Sequence, residues 1–453
     1  YIGDKAFYKM AMTVAVPIML QNFITNLVNM LDNLMVGSLG TEQMSGVSIV
    51  NQLVFVFNLC IFGGLSGIGI FTSQFYGKND NEGIRHTLRM KMITAVTVVI
   101  TALILFSAFD DFFINLFLHE TDDSGDLVLT LSFAKQYLEI ILIGLLPFAL
   151  SQMLASTLRE TGNTFVPMLS GLVAVIINGS FNYLLIFGKA GFPMLGVKGA
   201  AIATVMSRFA ELIIETVYII VKREKYPYIK GAFSSLKIPG KLLTSMLAKG
   251  TPLLVNELLW SGGITALSIA YSLHGISVVA ASSIASSVTN LFNIAFLSMG
   301  TSIGIIAGKS LGAGKHEEAI DNVRKMIFLS VSISIVIGII LYFTAGSITS
   351  LYKTDEESKK LALYFIRVCS FVMPLNAFAN ASYFTLRSGG KTLITFVFDS
   401  GTLWTVSVPL AFLLYAAGLP VMAIYPIVQS AETVKVIVGY ILIKKRVWVK
   451  TIV

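Results

Sequence analysis

Two carboxylates lie in sequence that otherwise reads as hydrocarbon. Asp32 stands inside TNLVNMLDNLMVG and Glu257 inside TPLLVNELLWSGG. A carboxylate at the centre of a bilayer costs at least about 2.5–3.5 kcal/mol on insertion scales, so each needs a partner, a cation or a proton. Asn178 and Asn182 are spaced i,i+4 and share one helix face. Their carbonyl oxygens are neutral hard donors that, with the single charge of Asp32, suit Na⁺; the alternative for all three is structural hydrogen bonding between helices. Trp260 follows Glu257 by about one turn, where it can line a cavity. Asp399 is a further embedded acid, either a second coupling carboxylate or the partner of a neighbouring cation.

The elements that must position these residues are membrane spans. Hydrophobic residues make up 55% of the 453-residue chain and charged residues 13%, against about 25% charge in soluble domains. At roughly 20 apolar residues per span, the hydropathy predicts an all-α polytopic membrane protein with twelve transmembrane helices, at 10–36, 45–76, 91–109, 130–154, 166–188, 197–221, 247–273, 280–309, 323–347, 358–384, 394–417 and 421–444. The second and eighth exceed a bilayer and are expected to tilt or run past it. The net charge of +8 invites a nucleic-acid reading, but 24 of the 33 Lys and Arg fall on one side of this segmentation. That asymmetry marks the inner face, puts both termini in the cytoplasm and leaves no role for nucleic acid. The opposite side carries an acidic loop, Asp110 to Asp126. Cys60 and Cys369 sit inside predicted helices, so no disulfide framework is expected, and the first span reads as retained rather than as a cleaved signal.

The chain also repeats itself. VPIML at Val16–Leu20 returns as TPLLV at Thr251–Val255, and SGIGIFTSQFYGK at Ser66–Lys78 returns as TSIGIIAGKSLGA at Thr301–Ala313, both at an offset of 235. TLRETGNT (Thr157–Thr164) returns as TLRSGGKT (Thr385–Thr392) at an offset of 228. The expected organisation is two pseudo-symmetric six-helix bundles: an N-lobe over 1–221, a basic inner linker over 222–246 and a C-lobe over 247–453. Six spans per half make the copies parallel, an arrangement suited to alternating access. The stretch Lys241–Lys249 is either an interfacial amphipathic segment or the first turns of the seventh span.

These motifs, taken in order, resemble the MATE (multidrug and toxic compound extrusion) family of cation-coupled efflux transporters. The resemblance rests on Pro17 and Gln21, MLDNLMVGSLG (Met30–Gly40), the GQxxG-like TSQFYGK (Thr72–Lys78), LRETGNT, the run Asn178–Thr204, and LRSGGKT. It implies a V-shaped two-bundle fold and exchange of amphipathic, often cationic drugs for Na⁺ or H⁺. It also implies an N-lobe cation site of Asp32, Asn178, Asn182 and the Thr204 hydroxyl. The Asn182–Tyr183 pair resembles the NorM-like branch; other branches carry an acid at the position of Asn182, and its absence here tilts the choice toward Na⁺. Glu257 matches the family's C-lobe acid, a binder of cation, proton or cationic drug. The branch's second C-lobe acid is replaced by Asn376, which shifts weight to Asp32.

The remaining embedded charges read as structural: Lys135 with Glu139, Arg208 with Glu211, and Glu432 with Lys435, each within one turn. Arg367 is expected to neutralise Glu257 or Asp399. GIIAGKS (Gly304–Ser310) imitates a phosphate-binding loop but has three residues between its glycines where four are needed. An enzyme is not expected, since no metal cluster or nucleophile–base pair is present and the four histidines, His86, His119, His274 and His316, fall in loops or near helix ends. No cofactor is expected beyond the coupling ion; the expected partners are drugs and membrane lipids, and the chain is expected to be a monomer in the cell membrane. The alternative, a flippase for lipid-linked oligosaccharides, needs several cations inside the helices to hold pyrophosphate.

Overall fold

The computed structural model describes residues 2–115, 127–352 and 354–453, and the regular structure there is entirely helical. Most of the acidic stretch after the third span, together with His119, lies outside the described residues. In chain order the helices are α1 (Lys5–Gly37), α2 (Thr41–Gly77), α3 (Asn81–Ala108), α4 (Asp110–Asn115), α5 (Leu127–Ile143), α6 (Leu145–Glu160), α7 (Phe165–Phe187) and α8 (Val197–Val221). The second half follows with α9 (Gly240–Ser272), α10 (Ile276–Gly312), α11 (His316–Ser350), α12 (Glu356–Ser388), α13 (Thr392–Phe396), α14 (Val408–Ala416), α15 (Val421–Ser430) and α16 (Glu432–Lys444).

Among the described residues, ten helical stretches are long and apolar enough to cross a membrane, and the bent pair α5–α6 makes an eleventh. The remaining predicted span, the sixth, is α8, which carries Lys198, Arg208, Glu211 and Glu215. Its charges do not contradict a span, because it is built inside out. Apart from Lys198 in its first turn, its exposed residues are apolar (Met206, Phe209, Ile213, Val217, Ile220 and Val221), whereas Glu215 is fully buried. At 37 residues each, α2 and α10 run to about 55 Å at 1.5 Å per residue, well past a hydrocarbon core of about 30 Å.

Three local breaks correct the simple picture. The fourth span, predicted as one helix over 130–154, is two helices bent by 47° at Gly144 and continuing to Glu160. A Cβ on Gly144 would lie 3.1 Å from Val205 and 3.2 Å from the Arg208 side chain, so the bend presses against α8. The eleventh span passes from α13 through two π-helical turns, Val397–Gly401 and Leu403–Ser407, before α14. Pro409, near the start of α14, has no N–H to donate back into that stretch, and the widened turns absorb the register change. The twelfth span is interrupted at Ala431.

The structure divides into two compact units, one of Tyr1–Met19, Ser73–Asp80 and Ser245–Val453, the other of Leu20–Thr72 and Asn81–Thr244. In the first, Ala281, Leu341, Phe365, Ile366 and Tyr425 form one apolar core, with Phe365 and Tyr425 stacked at 4.0 Å. Ala11, Ala15, Met299, Ile303, Met326 and Trp448 form another. The second unit includes the basic linker, where α3 secures the chain through Arg89. Its guanidinium donates to the carbonyls of Ala232 (2.6 Å), Lys237 (3.0 Å) and Gly231 (3.3 Å). Lys241–Lys249 is continuous with α9 and forms its first turns.

Candidate functional site

The site in the second unit is assembled by the α7–α8 hairpin. Gly188 ends α7 in the left-handed region (φ 64°), which lets the chain turn back into α8. A Cβ on Gly199 would lie 2.6 Å from the Leu185 carbonyl oxygen, so only glycine allows this approach of the two helices. The hairpin brings Asn178 and Asn182 of α7 up to Thr204 of α8, and α1 delivers Asp32. Asn182 is 1% exposed, and its amide nitrogen donates to Asp32 Oδ1 at 2.5 Å. Tyr137 of α5, buried, lies near the Thr204 hydroxyl.

The orientation of the Asn178 amide is set by the groups around it, which favour its nitrogen toward Asp32. With its nitrogen toward Asp32 it donates to both carboxylate oxygens at 2.9 Å and accepts from the Thr204 hydroxyl at 3.2 Å, an arrangement suited to an ionised acid. With its oxygen toward Asp32 it accepts from Asn182 at 3.3 Å and donates to Thr204 at 3.2 Å, but three oxygens then crowd together. That second arrangement needs a proton or a cation among them. The buried Asn182 Oδ1 has no hydrogen-bond partner in the structure, although a buried carbonyl oxygen ordinarily has one. Asp32, Asn178, Asn182 and Thr204 therefore form one hydrogen-bonded cluster rich in oxygen donors, with the Asn182 nitrogen turned to Asp32 and its oxygen left without a partner, chemistry that suits a hard monovalent cation.

In the first unit Glu257 lies in a different setting. Its carboxyl lies near Asn256, Tyr383, Arg387 and Asp399. Asn256 is the hub. Its Nδ2 donates to Asp399 at 3.1 Å, while its Oδ1 accepts from the hydroxyl of Ser400 at 2.7 Å and the Ser400 N–H at 3.3 Å. The π-helical turn thus gains a cap from α9. Asp399 is ion-paired to Lys435 at 3.1 Å, and Lys435 also bonds Glu432 at 3.0 Å. Asn376 is half-buried and makes no hydrogen bond among the described residues, and Trp260 is half-buried one turn beyond Glu257.

Other charges are placed differently from expectation. Lys135 pairs with Asp111 (2.8 Å) and Asp110 (3.3 Å), not with Glu139. Arg367 stacks over Tyr342 at 5.0 Å and forms no ion pair among the described residues. Arg208 lies 4.5 Å over the Phe148 ring. Lys91, which stands at the start of the third predicted span and is one of the 24 inner-side cations, is completely buried; its ammonium bonds Glu160 (2.5 Å), Ser156 (3.0 Å) and Thr157 (3.1 Å). Glu215 is held by the hydroxyls of Ser170 (2.8 Å) and Ser151 (3.1 Å). Lys309 of the phosphate-loop imitation lies in the last turn of α10, its ammonium 5.3 Å from the Tyr76 ring centre.

The described residues form an all-helical, multi-pass protein with polar side chains buried inside its spans, an architecture suited to membrane transport. The MatE family pattern matches residues 17–184 and 252–413, and the chain belongs to that family. It is 27% identical over 407 residues to the probable multidrug resistance protein NorM of Thermotoga maritima, covering 88% of this chain and 84% of that one. It is likewise 27% identical to the probable multidrug resistance protein YoeA of Bacillus subtilis, over 94% of this chain and 91% of that one. Among solved structures, an outward-facing multidrug resistance MATE family transporter of the MOP superfamily superimposes with a TM-score of 0.85 at 18% identity, covering 98% of this chain and 96% of the other. A MOP superfamily transporter from Pyrococcus furiosus gives 0.85 at 20% identity, over 99% and 98%.

Proposed function

We propose that this chain is a secondary active multidrug exporter, which expels amphipathic, often cationic compounds in exchange for an inward-moving cation. The observation that carries the reading is the oxygen set of Asp32, Asn178, Asn182 and Thr204 with its orphan Asn182 Oδ1. A proton on Asp32 would satisfy the Asn178 oxygen but leave Asn182 Oδ1 orphaned; Na⁺ would satisfy both once the Asn182 amide turns its oxygen to the cluster, and is the favoured coupling ion. Cation binding draws the Asn178 oxygen toward Asp32 and so changes how α1 meets α7. For exchange to occur, cation and drug must each disfavour the other's bound state, a coupling that is reciprocal by linkage. Glu257, with Trp260 one turn on and Asn376 on α12, is assigned to the drug or to a second cation; Asp399 already shares its charge with Lys435.

The termini and the basic loops face the cytoplasm, and the chain works as a monomer in the cell membrane. The flippase alternative is disfavoured because the cations inside the spans are engaged. Lys135 and Lys435 are ion-paired, while Arg208 and Arg367 lie against aromatic rings. The test is efflux of a fluorescent cationic dye from proteoliposomes under an imposed Na⁺ gradient and, separately, a pH gradient. Efflux under neither gradient contradicts the proposal.

A further inference from the structure

The SQFYG motif of α2 and the glycine-rich tail of α10 are repeat partners, and in the structure they meet reciprocally. A Cβ on Gly77 would lie 2.0 Å from the Lys309 carbonyl oxygen, and one on Gly312 would lie 1.9 Å from the Gln74 carbonyl oxygen. Gly77 matches Gly312 and Gln74 matches Lys309 at the same offset of 235. The crossing is therefore two-fold in sequence as well as in space, and only glycine permits it.

One asymmetric element lies across this crossing: the segment Arg446–Val453, which follows α16. Gln74 is fully buried, and its side chain is used up by that segment and by the end of α12. Its Nε2 donates to the carbonyls of Ser388 (2.9 Å) and Lys450 (3.2 Å), and its Oε1 accepts from the Ile452 N–H (2.8 Å). Thr451 donates to the Leu311 carbonyl at 2.7 Å and meets the His316 ring at 3.0 Å. Arg446 pairs with Glu317 at 2.9 Å. Trp448 is 1% exposed and lies so close over Gly389 that a Cβ there would be 1.7 Å from its carbonyl oxygen.

Two features distinguish this from permanent glue. The bonds that Gln74 makes to Lys450 and Ile452 are neutral and reach backbone groups that water can satisfy equally well, so that part of the segment releases at modest cost while the buried Trp448 stays anchored in its core. In addition, α2 is split in its allegiance: Ser73–Asp80 packs with the first unit and the residues up to Thr72 with the second. A stiff helix cannot travel with one unit while its end stays fastened in the other. We propose that Val449–Val453, beyond the buried anchor Trp448, is a releasable latch, closed by Gln74, that fastens the end of α2 to α10 and α12 and must lift during the transport cycle. The need for release rests on the alternating-access reading above; the latch itself does not.

The test uses the full chain with Cys60→Ser and Cys369→Ser, and Ser388→Cys as a reporter beneath the latch, where the native side chain is 3% exposed. A water-soluble maleimide should label Cys at 388 slowly in the parent. Gln74→Glu keeps the shape of the side chain but removes both donated hydrogen bonds, and should raise the labelling rate roughly tenfold or more, the population change two modest hydrogen bonds support. Gln74→Ala should do at least as much; if it fails to fold, the near-isosteric Gln74→Glu still decides. Equal labelling of parent and Gln74→Glu overturns the latch whether or not the protein transports. In proteoliposomes, labelling should accelerate when dye and gradient are both supplied. A reporter that stays unlabelled while efflux runs at the parent rate overturns the requirement for release.

Discussion

Asn182→Ala tests the cation site most informatively, because Asn182 contributes in two ways. Its amide nitrogen donates to Asp32 at 2.5 Å, and its oxygen is the buried acceptor with nothing to accept from. A hydrogen bond to a charged group is worth about 1.5–3 kcal/mol. Part of that is recovered if water enters the space left by the truncated side chain, while one oxygen ligand for the cation is lost outright. The net weakening should be about 1.4–2.7 kcal/mol, a 10- to 100-fold rise in the Na⁺ dissociation constant. The assay is the melting temperature of purified protein titrated with Na⁺ at constant ionic strength, since a ligand that binds only the folded state stabilises it in proportion to ln(1 + [L]/Kd). The reasoning is refuted if Asn182→Ala and the parent respond to Na⁺ with the same midpoint. It is also refuted if the parent shows no Na⁺ response while pH alone shifts its melting through Asp32; the orphan oxygen would then have no cation to bind.

Three further outcomes follow from the geometry. Lys91→Met strands Glu160 in the protein interior and should lower stability by about 3–5 kcal/mol, with Lys91→Met/Glu160→Gln recovering most of it; thermal melts of the three variants check this. Gly199→Ala forces a Cβ to within 2.6 Å of the Leu185 carbonyl and should cost about 1–3 kcal/mol while weakening the Na⁺ response, because it separates the two helices that carry Asn178 and Thr204. Asn256→Ala removes the cap on the π-helical turn and the donor to Asp399, and should cost about 1–3 kcal/mol in the same melts, with the Na⁺ midpoint unchanged because Asp32 is untouched.

Helical periodicity made the spans and the shared face of Asn178 and Asn182 legible, since both depend only on local spacing. It could not reveal that Gly199 brings α7 and α8 close enough to place Thr204 on the same cluster; that residue came from the family resemblance. Local spacing also misled at Lys135, whose acids lie on α4 rather than one turn along its own helix. At Arg367 the aromatic face of Tyr342 took the place of a carboxylate. Lys91 was read with the basic inner loops because it stands where apolar sequence begins, and its partner Glu160 is 69 residues away. Asn256 escaped notice beside the more conspicuous Glu257, although it is the amide that ties α9 to the π-helical turn. Gln74 belonged to a motif noted only as a family mark. Its physical reason appears once the segment after α16 is seen folded over it.

The central claim, that the Asp32 cluster couples an inward cation to drug exit, is tested most directly by dye efflux from proteoliposomes carrying Asp32→Asn beside the parent protein. The account predicts that the parent empties the vesicles under an imposed Na⁺ gradient, and that Asp32→Asn, inserted to the same level, leaves the dye inside. Gradient-driven efflux by Asp32→Asn at the parent rate would contradict it.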